Sequence, residues 1–157
     1  MDALDRRILI ELQQDGSLTN ARLAQVVGLS PSAISERVRR LESEGHIGGY
    51  RALVNPASLG IGLQAFVAAE LVRHDTACIA EFERGIAALP AVRACYHVAG
   101  RFDYLLHAAV RDLEHLGALI KDEIAAIPGV DKVETMLVYS EVKPDAGWPA
   151  PRDDPEA

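Results

Sequence analysis

The residues in this chain best suited to chemistry crowd into one short stretch: Ser30, Ser32, Ser35, Glu36, Arg37, Arg39, Arg40 and Ser43. Short hydroxyls can approach base edges, and Arg can donate paired hydrogen bonds to a guanine or bind a phosphate. The same composition also suits an ordinary solvated helix face, so the surrounding elements must decide. A second group, Cys95, His97 and His107, falls on what read as paired strands and could share a face. It lacks a fourth ligand for a closed zinc or haem site and has no acid–base partner, so sheet-face histidines are the expectation. No Ser-His-Asp order, phosphate loop or His-Glu-x-x-His stretch occurs, which leaves hydrolase and nucleotide chemistry without support. We therefore expect no catalytic residue, no metal and no cofactor.

Three short helices must present the first group. One is predicted over residues 4–14, with Leu4, Ile8 and Leu12 on one face, ended by Asp15-Gly16. Thr19 can cap a second, with Leu23, Val26 and Val27 inward and Gly28 as its stop. Ser30-Pro31 restarts the chain as a third helix, Ser as N-cap and Pro at N1, and Gly45 ends it. Ile34, Val38 and Leu41 form its inward stripe. Ser32, Glu36, Arg39, Arg40 and Ser43 then point outward, with Ser35 and Arg37 on the flanks. Two helices joined by Gly28-Leu29-Ser30 make a helix-turn-helix, whose second helix reads double-stranded DNA in the major groove.

The net charge of −7 looks wrong for a DNA binder until it is divided along the chain. Residues 1–55 carry seven Arg against seven acids, so the acidity lies elsewhere. DNA binding would then depend on a local basic face, doubled by dimerisation. Residues 47–54 have strand character, and Asn55-Pro56, Gly60 and Gly62 break it. Beyond them come a strand (62–72), a helix (76–89) and two strands (92–99 and 104–110) joined by Gly100-Arg101-Phe102-Asp103. A helix (113–127) and a strand (130–142) follow. Leu89-Pro90-Ala91-Val92 and Ile127-Pro128-Gly129-Val130 both close a helix and open a strand. The fold class is α+β: a three-helix, winged-helix-like helix-turn-helix domain followed by a ferredoxin-like βαββαβ domain. The domains fall at 1–52 (DNA binding), 53–61 (linker) and 62–142 (effector binding and oligomerisation), with a poorly ordered, Pro-rich tail at 143–157. No run approaches the roughly 18 apolar residues of a membrane span. The first residues lack signal-peptide order, and two isolated cysteines build no disulfide framework. A cytoplasmic protein is expected.

Several of these stretches, in register, resemble the Lrp/AsnC (leucine-responsive, feast/famine) family of transcription regulators. They are Leu4-Asp5-Arg6-Arg7-Ile8-Leu9, Val27-Gly28-Leu29-Ser30-Pro31-Ser32, Arg37-Val38-Arg39-Arg40-Leu41-Glu42, Gly45-His46-Ile47-Gly48-Gly49-Tyr50, Asn55-Pro56 and Gly100-Arg101-Phe102-Asp103-Tyr104-Leu105. The resemblance implies a homodimer formed through the C-terminal sheets, with further assembly such as octamers. It also implies a small effector, typically an amino acid, bound where C-terminal domains meet. Carried over residue by residue, Gly100, Arg101, Phe102, Asp103 and Tyr104 are the effector candidates. Asp103 would receive an ammonium and Arg101 a carboxylate, although Gly100 and Asp103 equally suit a plain β-turn. Ala99 stands where relatives often have Thr or Ser.

An alternative from another class is a sirohaem-decarboxylase-like enzyme of the same two-domain layout, using His and Arg around a tetrapyrrole. The Gly-x-x-Asp-Tyr-Leu hairpin argues for the regulator, because it lacks the aromatic, Asn-containing pattern of those enzymes.

Overall fold

The computed structural model describes residues 1–149. It divides into two compact units, one built from Met1–Leu53 with the described residues from Lys143 onward, the other from Val54–Val142.

The first unit is three helices. Helix α1 (Ala3–Gln14) opens on a capping box, in which Asp2 accepts from the Asp5 N–H and Asp5 reaches back to the Asp2 N–H. Thr19 caps α2 (Asn20–Val27), and Gly28 closes it at φ 82°. That left-handed conformation favours glycine, and it allows the chain to turn straight into the next N-cap. Ser30 caps α3 (Pro31–Ser43), with Pro31 in the first turn. Ile8, Leu23, Ala24, Val27, Ile34 and Leu41 interlock as the core.

One expectation for this unit is corrected. Residues 47–54 are irregular and form no strand. Strand-forming side chains cannot hold an extended segment whose N–H and C=O groups meet no ladder, so the wing has no strand here. Within the expected tail, Trp148 meets α1. The Gln13 amide donates to the Trp148 carbonyl at 2.7 Å and accepts from the Trp148 N–H at 2.9 Å. Residues 150–157 of that tail lie outside the described residues.

The second unit has strands β1 (Leu63–Leu71), β2 (Val92–His97), β3 (Tyr104–Val110) and β4 (Val130–Leu137), with helices α4 (Thr76–Ala87) and α5 (Leu113–Ala118). The strands form one antiparallel sheet in the order β2-β3-β1-β4, the ferredoxin-like arrangement. Alternation sends Ala65, Val67, Ala69 and Leu71 of β1, and Tyr104, Leu106, Ala108 and Val110 of β3, against Phe82, Ile86, Leu116, Leu119 and Ile124. Strand β4 ends at Leu137, five residues short of the expected limit.

The last helix also departs from the uniform helix expected over residues 113–127. It widens after α5 into a π-helical segment, Leu119–Ile124. A straight α-helix would bury Leu116, Ile120 and Ile124, whereas Leu116, Leu119 and Ile124 are buried and Ile120 only partly so. The five-residue step from Leu119 to Ile124 matches the i→i+5 period of a π turn.

Candidate DNA interface and ligand groove

On α3, Ile34 and Leu41 are fully buried and set the inward direction. At 3.6 residues per turn, Ser32, Glu36, Arg39 and Ser43 fall opposite, with Ser35 at the margin. All five are exposed, as is Ser30 at the cap. Their outward placement agrees with the reading from sequence.

Arg37 and Arg40 differ. Three residues apart, they share one flank, and that flank faces α1. The Arg37 Nη1 donates to Asp2 at 2.7 Å and to Asp5 at 2.7 Å. The Arg40 Nη2 donates to both oxygens of Asp5, at 2.9 and 2.8 Å. Arg40 is therefore not the free outward cation expected, although its side chain stays 46% exposed. Burial pushes the Asp5 carboxyl up, but the Asp2 N–H and the two arginines outweigh it and hold the group below its ordinary range. Asp2 is lowered to about 2, first by the Asp5 N–H and then by Arg37. Sequence reasoning missed Asp5 as part of this surface. Its one signal was a charged residue one turn before the inward Ile8.

The five effector candidates occupy varied settings. Gly100 takes φ 147° at the hairpin turn. Arg101 lies over the Phe102 ring, 4.8 Å from its centroid, and pairs with Glu134 at 3.1 Å. Asp103 accepts from the Leu71 N–H at 2.8 Å, and its other oxygen meets His74 Nε2 at 2.8 Å. The Leu71 N–H is the main cause of a lowered Asp103 pKa, with His74 adding to it against the opposing effect of burial. Tyr104 is buried, donates its hydroxyl to Glu83 at 3.0 Å and stacks on His97. Burial, then the Glu83 carboxylate, pushes the Tyr104 phenol up to about 12.

Of the five, only Tyr104 lines a groove of about 370 Å³ between α4 and β2, together with Glu83, Arg93, Cys95 and His97. Sequence reasoning missed Glu83 and Arg93, since only the packing of α4 on β2 brings them together.

The register divides the Cys/His trio, so the shared face that the sequence allowed does not form. Cys95 pairs with Leu106 and His97 with Tyr104, so both lie on the helix-covered face. His107 pairs with Phe66 on the opposite face and bonds to Gln64 at 2.9 Å. Among the described residues, no cluster of three His, Cys, Asp or Glu could hold a metal ion. That opposite face carries Phe66, Tyr96, Leu105 and Met136, all at least partly exposed.

Residues 1–42 match the AsnC-type helix-turn-helix domain, and residues 64–148 match the Lrp/AsnC ligand binding domain. The chain belongs to the Lrp/AsnC family. Among its relatives, the leucine-responsive regulatory protein of Haemophilus influenzae is 43% identical over 143 residues, 91% of this chain and 86% of that relative. The protein of the same name from Escherichia coli K12 is 41% identical, covering 91% of this chain and 87% of its own length. Two solved structures superimpose with a TM-score of 0.88. One is a Neisseria meningitidis transcriptional regulator in complex with L-Met, 33% identical, covering 95% of this chain and 96% of its own. The other is an AsnC family regulator of Agrobacterium tumefaciens, 32% identical, covering 95% and 97%. The chain is thus a Lrp/AsnC transcriptional regulator, with a helix-turn-helix for DNA followed along the chain by a ligand-binding domain. No helix among the described residues is long and apolar enough to cross a membrane.

Proposed function

We propose that this Lrp/AsnC regulator binds double-stranded DNA as a homodimer, reads bases from the outward face of α3, and is tuned by an amino acid. Ser32, Ser35, Glu36 and Arg39 contact base edges, Ser30 meets the backbone at the helix N-terminus, and Arg40 contacts a phosphate. The observation that carries this reading is that α3 turns its hydroxyl-rich, Arg-bearing side to solvent while Ile34 and Leu41 of its apolar stripe are fully buried. The sheet face opposite α4 and α5, with Phe66, Tyr96, Leu105 and Met136, packs on the same face of a second copy, because several large apolar side chains exposed together mark an interaction surface. Larger assemblies such as octamers build on that dimer. The protein works in the cytoplasm and performs no catalytic step of its own.

The effector sits at the Gly100–Tyr104 turn, and a neighbouring subunit completes the site. The bound L-Met of the Neisseria regulator favours an amino acid. Arg101 leaves its exposed pair with Glu134 to receive the carboxylate, and Asp103 receives the ammonium. A ligand that bridges subunits favours the assembly completing its site, by its differential affinity for the two states. The test is a thermal-shift and sedimentation screen of the amino acids on wild type, Asp103→Ala and Glu83→Gln. A hit abolished by Asp103→Ala supports the turn. A hit abolished only by Glu83→Gln moves the ligand to the groove between α4 and β2, and no hit at all removes the sensing role.

A further inference from the structure

Three observations on the first unit point the same way. Asp5 is 1% exposed and so cannot touch a duplex, yet it is the one buried charged residue among those described. Its partners are two arginines of α3, 32 and 35 residues along the chain. Each Asp5 oxygen is engaged by Arg40 Nη2, while the Nη1 and Nε of Arg40 bond to nothing among the described residues.

From these we infer that Asp5 is the positioning residue of the DNA-reading helix: it holds Arg40 by its Nη2, leaving Nη1 and Nε free for a phosphate, and withdraws Arg37 from base reading. The inference rests on α3 being the reading helix. A guanidinium is a planar fork, so a carboxylate gripping one corner fixes the direction of the rest. An Arg on a free surface must lose its rotamer freedom when it binds a phosphate, and one already held in place loses less. Arg37 lacks such freedom: its side chain is 24% exposed, and its Nη1 bridges Asp2 and Asp5. The four charges Asp2, Asp5, Arg37 and Arg40 sum to zero, so the cluster acts through geometry and not as a positive field. Sequence selectivity then rests on Arg39, Glu36 and the serines.

The experiment uses the full chain and a duplex recovered by selection from random sequences. Binding is measured across a salt series at a temperature where circular dichroism shows each variant folded. Arg40→Lys keeps the charge and can still bridge the Asp5 oxygens through its one nitrogen, but it has no further nitrogen to offer a phosphate, and it should weaken binding by about tenfold, the scale of one well-made polar interaction with the duplex. Asp5→Asn should do the same and flatten the log–log salt slope by about 0.9 for each phosphate no longer neutralised. The double variant should be little worse than either single one, as expected for residues acting as a unit. Arg37→Ala should leave the preferred bases unchanged. Wild-type affinity in Arg40→Lys, or a changed base preference in Arg37→Ala, overturns the inference even if Asp5→Asn fails to fold. Arg39→Ala separates the two levels. Loss of binding there with no effect at Arg40 or Asp5 overturns only the positioning role, and no effect at any of them overturns α3 as the reading helix.

Discussion

The imidazole of His107 lies over the ring of Phe66, centroids 4.9 Å apart and planes 25° from parallel, on the sheet face opposite α4 and α5. Burial, then the nearby Arg93 charge, lowers the His107 pKa below 6.5. A depressed folded-state value means the unfolded chain takes up the proton more readily. The His107 contribution to stability is therefore complete above about pH 6.5 and is lost as pH falls through the folded-state pKa. Thermal unfolding followed between pH 7.5 and 5 should show Tm falling with acid, and less steeply in His107→Gln. Identical slopes in the two proteins would remove His107 from the titration.

Asp103 braces the hairpin against the end of β1 through the buried Leu71 N–H. Asp103→Ala orphans that donor and should destabilise the second unit by about 1–3 kcal/mol. Because the folded pKa lies below 3.8, this stabilisation is present above the unfolded value and disappears as pH falls through the folded one. Urea unfolding at pH 7 and pH 3 should show a wild-type-to-mutant gap that narrows in acid.

Gly28 and Gly129 separate backbone strain from crowding. Both have positive φ, 82° and 93°, but a Cβ on Gly28 meets nothing while one on Gly129 runs into Cys78 Sγ. Gly28→Ala should cost about 1–2 kcal/mol, the left-handed penalty alone. Gly129→Ala should cost more. Equal effects in chemical denaturation would mean that Cys78 moves aside freely.

Most of the first unit was legible because its signals are local. Thr19, Gly28, Ser30 and Pro31 punctuate the chain within a few residues of the bonds they make, and the stripe of Ile34 and Leu41 needs only the helical period. What escaped was long-range. Nothing near Arg40 announces Asp5, 35 residues earlier, so the helix wheel left Arg40 pointing outward. Residues 47–54 have strand composition, but a ladder requires a partner strand that composition does not supply. The faces of Cys95 and His107 depend on a register that shifts between Val92 and Ala94, and alternation along one strand cannot reveal that. In the turn, Gly100 and Asp103 were legible as turn residues. The contribution of Glu83 and Arg93 to the groove beside it appears only once α4 packs on β2.

Arg39 is exposed on the outward face of α3, and no α1 carboxylate among the described residues holds it. Arg39→Ala should leave folding stability within about 0.5 kcal/mol of wild type, as at other exposed positions. It should cost about 1–3 kcal/mol in binding to the selected duplex and relax preference at one position of each half-site. Urea unfolding measures the first effect, and competition against a panel of single-base variants of that duplex measures the other two.

Selection from a random duplex pool, followed by footprinting of the recovered sequence, tests DNA reading by a dimer most directly. Two copies of α3 related by a two-fold axis should recover an imperfect palindrome, with half-sites about one helical turn or a multiple of it apart and both protected together. A pool with no enrichment, or one unrepeated half-site protected by a single protomer, would contradict it.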